Sequence, residues 1–405
     1  MGEVNWRPRV DSFCRCTDAW RSRALSFSGK GVVLNSLALS RIWYDASVVA
    51  MPKSVVKELN IRIFNLFWAG KKARVARKVL HHSKSQGGFS VVSVELKIHS
   101  LLGQWFRRFG VSPGAWVSLL TFWCFDRFGV SPMSVLSQPS AYDIATLPTF
   151  FYHCFLAWIA LGGSLSGGEL VVGSSLAGGP FLVSTMTSKT CYDLLLSRNP
   201  ALPHCVGKFL PLFGAWEWSS TWCSLFFMPL DRQVIDLNWK LAHGVLYTAE
   251  RLASFGYQLR LSCFCGHHTE SLDHLFFSCP LAQSGLAWVQ TLLSRACPVG
   301  PSLSLRHVRV GFSSDELRVV PRVFAYLVNV CSYVVWIQRN DFRFHSIPPS
   351  AVKLIALMKA RLSFHLPLFS RRFTSTRRRS YFFRQWAANG MFGSFRNSTF
   401  TFTLQ

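Results

Sequence analysis

The chain is expected to be mainly α-helical, with helical segments supporting one small metal-binding loop and a basic helical or disordered tail at the end. Three observations carry this expectation. Apolar residues recur at helical spacing in several segments, three cysteines and a histidine gather between positions 263 and 279, and no acidic residue follows Asp341. At 405 residues with 50% apolar content, the chain is long enough for two or three domains with real cores. Composition shifts divide it into residues 1–109, 110–230, 231–300 and 301–405.

In the first segment, Val55, Val56, Leu59, Ile63, Leu66 and Phe67 alternate with Lys57, Glu58, Asn60 and Arg62. This spacing predicts a helix over 54–68, with Pro52 as its start signal. The helix ends near Gly70 in a basic cluster, Lys71, Lys72, Arg74, Arg77, Lys78, His81, His82 and Lys84. Gly87-Gly88 then reads as a turn, and Val91 to His99 resumes an amphipathic pattern. A charge run is ordinarily a solvated face. Beside Phe64, Phe67 and Trp68 it is equally a place where cations take phosphates and rings stack on bases.

Residues 110–230 are poorer in charge and richer in Pro, Gly, Ser and aromatics. They read as an irregular, mostly helical connector, with the Gly/Ser stretch from Gly162 to Gly179 as a flexible linker. No Gly-Lys-Ser/Thr follows any of its glycines, so it holds no P-loop.

Asp236 to Phe255 reads as two short helices, with Leu237, Leu241 and Val245 on one face. Thr248 is the second helix's N-cap and Gly256 its stop. Next come Cys263, Cys265, His274 and Cys279: a close pair, a loop and a second close pair of soft ligands. Thiolate and imidazole suit tetrahedral zinc, and short spacing within each pair keeps the entropy of gathering them low. With all four positions filled by protein, the site is closed and structural. Gly266 follows where a tight turn is needed, and Pro280 follows where a short helix would stop. The competing reading is a chance set of buried thiols, of which Cys14-x-Cys16 is the weaker example. His267 and His268 are spare ligands for His274 or solvated loop residues. Leu281, Trp288, Val289, Leu292 and Leu293 form a stripe on a following helix that would clamp the loop.

In the tail, Arg371, Arg372, Arg377, Arg378, Arg379 and Arg384 stand among Phe364, Phe369, Phe373, Tyr381, Phe382, Phe383, Trp386 and Phe392. Arginine forks grip phosphate and aromatics stack on bases, so the tail is read as touching nucleic acid or as a disordered basic end.

A net charge of +25, from 44 Lys and Arg against 19 Asp and Glu, implies a polyanionic partner. RNA or DNA is the first candidate and an anionic membrane surface the second. Membrane spans are not expected, because residues 143–169 are broken by Pro148, His153 and glycines, while 323–337 is too short. Twelve cysteines at irregular spacing, and an N-terminus without an apolar core, point to a reducing intracellular compartment, nucleus or cytoplasm.

These landmarks, in order, resemble a known family. They are Trp20, Leu25-Ser26, Gly29-Lys30, Tyr44 ahead of Pro52, Phe67-Trp68-Ala69-Gly70 and Gly87-Gly88-Phe89. Then come Tyr152, Ala157-Trp158, Lys189, Tyr192, Leu195, Trp216 and Asn238-Trp239-Lys240-Leu241. Last are Cys263 to Cys279 with Glu270 and His274-Leu-Phe, Trp336 and Arg339-Asn340. Their shared order resembles the C-terminal third of a LINE-type, non-LTR retrotransposon reverse transcriptase, including its zinc-binding domain. The resemblance implies a helical thumb-like element over about 20–105 that grips a template-primer duplex. It also implies a zinc-ligand role for Cys263, Cys265, His274 and Cys279, although family members often show a wider gap in the first pair.

Such polymerases hold two divalent metals on palm carboxylates, and this chain contains no Asp-Asp. By the resemblance the palm would lie upstream of Met1, as would an endonuclease domain. After Asp273 the only carboxylates are Asp315, Glu316 and Asp341, so a downstream nuclease is unsupported as well. The expectation is therefore a non-catalytic fragment of a reverse-transcriptase polyprotein that binds RNA or DNA, alongside the rest of a reverse transcriptase as a partner. The alternative is an inert retroelement remnant or a host-adopted protein-interaction module.

Overall fold

Helices dominate the computed structural model, which describes residues 2–111, 114–173 and 179–404. The chain forms two compact units, and each draws on separate stretches of sequence.

The first unit takes residues 1–73, 77–82 and 89–202. Its helix Lys53–Trp68 follows Pro52 as expected and ends where Ala69 and Gly70 turn left-handed, φ 52° and 74°. The helix packs against Gly2–Arg21, and Val94–Gly103 packs against Thr149–Ala160 and Ser188–Ser197. The rings expected to stack on bases are the core instead. Phe64, Phe67 and Trp68 are buried, and Phe67 stacks on Phe27 with ring centroids 4.9 Å apart. Removing such large apolar surfaces from water outweighs any gain from leaving them exposed for a ligand.

Part of the supposed linker is also ordered. β1 (Gly163–Ser166) and β2 (Glu169–Val172) make an antiparallel hairpin, and β3 (Phe181–Leu182) adds to β2. Gly167 and Gly168 supply the positive φ of its turn. Residues 174–178 lie outside the described residues.

The second unit takes 74–76, 83–88 and 203–405. Its centre is the helix Arg322–His345, which packs on Arg232–Ala242, Pro280–Ala296 and Ala351–Ser370. Gly285 permits the close approach, because a Cβ there would sit 2.7 Å from Cys331 Sγ and from Leu354. The apolar run 323–335 is thus a helix buried in protein, and no described helix is long and apolar enough to cross a membrane. The tail is folded rather than loose. Helix Thr376–Gln385 is followed by a hairpin of β4 (Ser394–Arg396) and β5 (Thr399–Thr401). Phe382, Trp386 and Phe392 are buried there, so these rings serve packing and are not free for bases.

The turn at Gly87 explains two of the sequence landmarks together. Its carbonyl accepts the Trp239 indole N–H at 2.8 Å, and a Cβ at this left-handed position would strike Trp222 at 2.7 Å. Trp222 and Trp239 in turn enclose His243, with ring centroids 5.0 and 4.4 Å away. Burial pushes the His243 pKa from 6.5 down to about 4. Between those values the unfolded chain binds a proton that the folded chain does not, so stability falls as pH is lowered through this window. The expected loss from about pH 7 to about pH 4 is roughly 3 kcal/mol. Urea unfolding of the parent and of His243→Phe across this range checks it, and equal acid sensitivity in both would refute it.

Candidate metal centre

The loop that follows Tyr257 brings all four expected ligands together. Cys263, Cys265, His274 and Cys279 each offer one ligand atom, and these atoms lie within 4.8 Å of one another. Cys263 Sγ is 4.0 Å from Cys279 Sγ, and Cys265 Sγ is 3.2 Å from His274 Nε2. Ligands bonded to one tetrahedral zinc at about 2.0–2.3 Å stand about 3.3–3.8 Å apart. The cluster therefore fits zinc with only small adjustments, and zinc is the cofactor its chemistry suits. The one-residue gap between Cys263 and Cys265 does not prevent both from joining.

Local backbone geometry explains how a short loop does this. Gly266 adopts φ 91°, and its N–H returns to the Cys263 carbonyl at 3.1 Å, which turns Cys265 back beside Cys263. At the other end, His274–Ser278 is a π-turn. The Cys279 N–H donates to the His274 carbonyl at 2.6 Å, so the wide turn carries Cys279 round to the side of His274. Pro280 does not stop a helix here. It occupies the first position of Pro280–Ala296, where proline's missing N–H costs nothing.

Three thiols gathered with one imidazole suit a cation, because a metal binds them as thiolates. The hydrogen bond to Cys279 and burial push the Cys263 thiol up, while the same hydrogen bond pulls Cys279 down. A buried pocket accepts one thiolate this way, and further thiolates require positive charge among them. Burial lowers the His274 pKa, keeping its imidazole neutral and able to donate a lone pair. His267 stacks on His274 at 4.0 Å and faces the Thr269 backbone. It supports the ligand, and neither it nor His268 belongs to the cluster.

The anchor behind the loop had no assigned role in the sequence. Glu270 is fully buried and pairs with Arg339 at 2.6 Å and Arg343 at 3.0 Å. Its carboxylate also accepts the Ala249 N–H at 2.9 Å. Arg343 further donates to the carbonyls of Arg260 and Ser262, just ahead of Cys263. The ligand loop is thereby bolted to helix Arg322–His345 and to the start of helix Ala249–Ala253, which Thr248 caps as expected. An acid inside a Cys/His loop, with arginines far downstream to match it, was the available signal. Nothing in local spacing joins positions 270 and 339.

The basic residues are placed less uniformly. In the first unit Lys71, Lys72, Arg77 and Lys78 are exposed, and Arg77 lies over the Phe64 ring at 4.7 Å. Arg74, in the second unit, is half-buried over Tyr247 at 4.1 Å. Arg371, Arg372, Arg377, Arg378 and Arg384 are exposed. Arg379 is tied into the fold through the Phe373 carbonyl and Ser398 Oγ.

Residues 187–285 match the family described as zinc-binding in reverse transcriptase. The chain is also similar to the Transposon TX1 uncharacterized 149 kDa protein of Xenopus laevis, at 22% identity over 143 residues. That stretch is 34% of this chain and 11% of the relative, so the chain spans a small part of the relative's length.

Proposed function

Because this chain carries the zinc-binding region of a retrotransposon reverse transcriptase, we propose that it binds RNA or DNA and performs no catalysis by itself. Cys263, Cys265, His274 and Cys279 hold one structural zinc, which supplies cross-linking of the loop and no chemistry. In this reading residues 1–109 act as a thumb-like element, 110–230 as a connector, 231–300 as the zinc module and 301–405 as a basic flank. A cytoplasmic or nuclear setting, both reducing, would keep the ligand thiols available. The rest of a reverse transcriptase is a further partner.

One observation carries the binding proposal. Arg371, Arg372, Arg377, Arg378 and Arg384 are exposed on one folded element and its approach, and none takes part in a described ion pair. Guanidinium groups held without carboxylates are available for phosphate. Lys71, Lys72, Arg74, Arg77, Lys78 and Arg379 are proposed as additional contacts. Affinity for a duplex or a single strand is expected to fall steeply as salt rises from about 50 to about 200 mM, by roughly a thousandfold for six phosphate contacts. Charge reversal at Arg377 and Arg378 should flatten the slope. Salt-independent affinity in the parent would refute phosphate contact.

A second reading is favoured by a different surface. Helix Ala115–Phe128 leaves Leu119, Phe122 and Phe125 more than half exposed, a pattern that suits a protein-interaction module. Alanine at all three should abolish self-association or capture of a partner while leaving nucleic-acid affinity unchanged.

A further inference from the structure

Between the short helix Ser40–Ala46 and the turn Gln104–Phe106, the first unit contains an open cleft of about 620 Å³. Trp43, Tyr44, Gln104, Trp105, Arg107 and Arg108 line it, and among the described residues no carboxylate does. The Trp105 ring is fixed in place. Its indole N–H donates to the Ser47 carbonyl at 2.7 Å, and the ring meets Phe150 edge-on at 5.4 Å. Arg108 sits over its face, 3.7 Å from the ring centroid. Tyr44 at the mouth is 80% exposed, and Arg107 and Arg108 are exposed as well.

These features differ from those of the buried aromatics elsewhere in the chain. An indole and guanidinium stack with an exposed phenol nearby offers planar surfaces to a flat guest. Arginines without opposing acids offer charge to a phosphate. The amide of Gln104 adds a donor and an acceptor for a base edge. A paired base cannot enter, since its faces are stacked and its edge is engaged. We propose that this cleft binds an unpaired nucleotide of a single-stranded RNA or DNA, with its base stacked at Tyr44 and the Trp105–Arg108 pair and its phosphate at Arg107. The inference rests on the nucleic-acid reading above and gives it a location and a strand preference.

The test uses the full chain with fluorescein-labelled oligodeoxythymidylate, oligouridylate and a DNA duplex of equal length. Tyr44 is exposed, so Tyr44→Ala leaves the core intact. It should weaken single-strand binding roughly tenfold, the value of one lost base stack, with duplex binding unchanged. Tyr44→Phe, which keeps the ring, should bind like the parent. Arg107→Gln should weaken single-strand binding and reduce its salt dependence by about one counterion. Equal single-strand affinity in Tyr44→Ala and parent would overturn the cleft alone, as would duplex binding by a parent that ignores single strands. A parent that binds none of the probes would overturn both the cleft and the broader function.

Discussion

Cys279→Ser is expected to release the zinc and loosen the whole segment from Tyr257 to Cys279. That segment is fastened by its ligands, two backbone turns, the Glu270 anchor, the Asp273–Arg309 pair and the buried Leu275 and Phe276. A hydroxyl is a poor substitute for thiolate, and an incomplete set loses the tetrahedral site. Because the site is assembled only in the folded chain, metal affinity is folding free energy, about 10–16 kcal/mol in isolated zinc-finger peptides. Helices Arg322–His345, Pro280–Ala296 and Ala351–Ser370 pack on one another outside the loop, so the expected loss is smaller, about 4 kcal/mol or more. Elemental analysis should find one zinc per parent chain and none in Cys279→Ser or His274→Ala. A chelator should lower the parent's melting temperature and leave the variants unmoved. A well-folded parent with no zinc, or variants that retain it, would sink the assignment.

Glu270→Ala should be nearly as damaging although it removes no ligand. The carboxylate is buried between Arg339 and Arg343, and its loss leaves the almost fully buried Arg339 guanidinium without its counter-charge. Breaking a buried pair by removing one partner costs about 3–5 kcal/mol, mostly through the desolvated charge that remains. Arg339→Met should cost less, because Arg343 and the Ala249 N–H still face the carboxylate. The double variant Glu270→Ala/Arg339→Met is expected to be more stable than the sum of single losses predicts, because the more deeply buried stranded charge is gone and only the partly exposed Arg343 is left without its carboxylate. Chemical denaturation of all three measures this, and strictly additive losses would show that the pair is not coupled. Zinc affinity should fall in Glu270→Ala even with all four ligands present, since the loop they sit on is no longer fastened.

Several features were legible because they depend on neighbours in sequence. Helix Lys53–Trp68 obeys its apolar period, Thr248 caps its helix, Gly266 makes its turn, and the four candidate ligands meet because their spacing makes closure cheap. Other features depended on competition for burial. Phe64, Phe67, Trp68, Phe382 and Trp386 read as rings beside cations, and periodicity does not say which aromatics a core will claim. Tyr44, left outside by that competition, carries the stacking proposal instead.

The amino-acid sequence by itself determined the helical class, the Cys/His cluster and the basic surplus, since propensity, short-range spacing and charge are properties of local residues. Only the tertiary structure decided that residues 83–88 fold with the second unit, where Gly87 receives Trp239. It alone paired Glu270 with Arg339 and Arg343 and ended the tail in a packed hairpin. The Gly87 and Glu270 contacts join residues scores of positions apart, and their free energy comes from removing particular surfaces and charges from water together, which no single segment encodes.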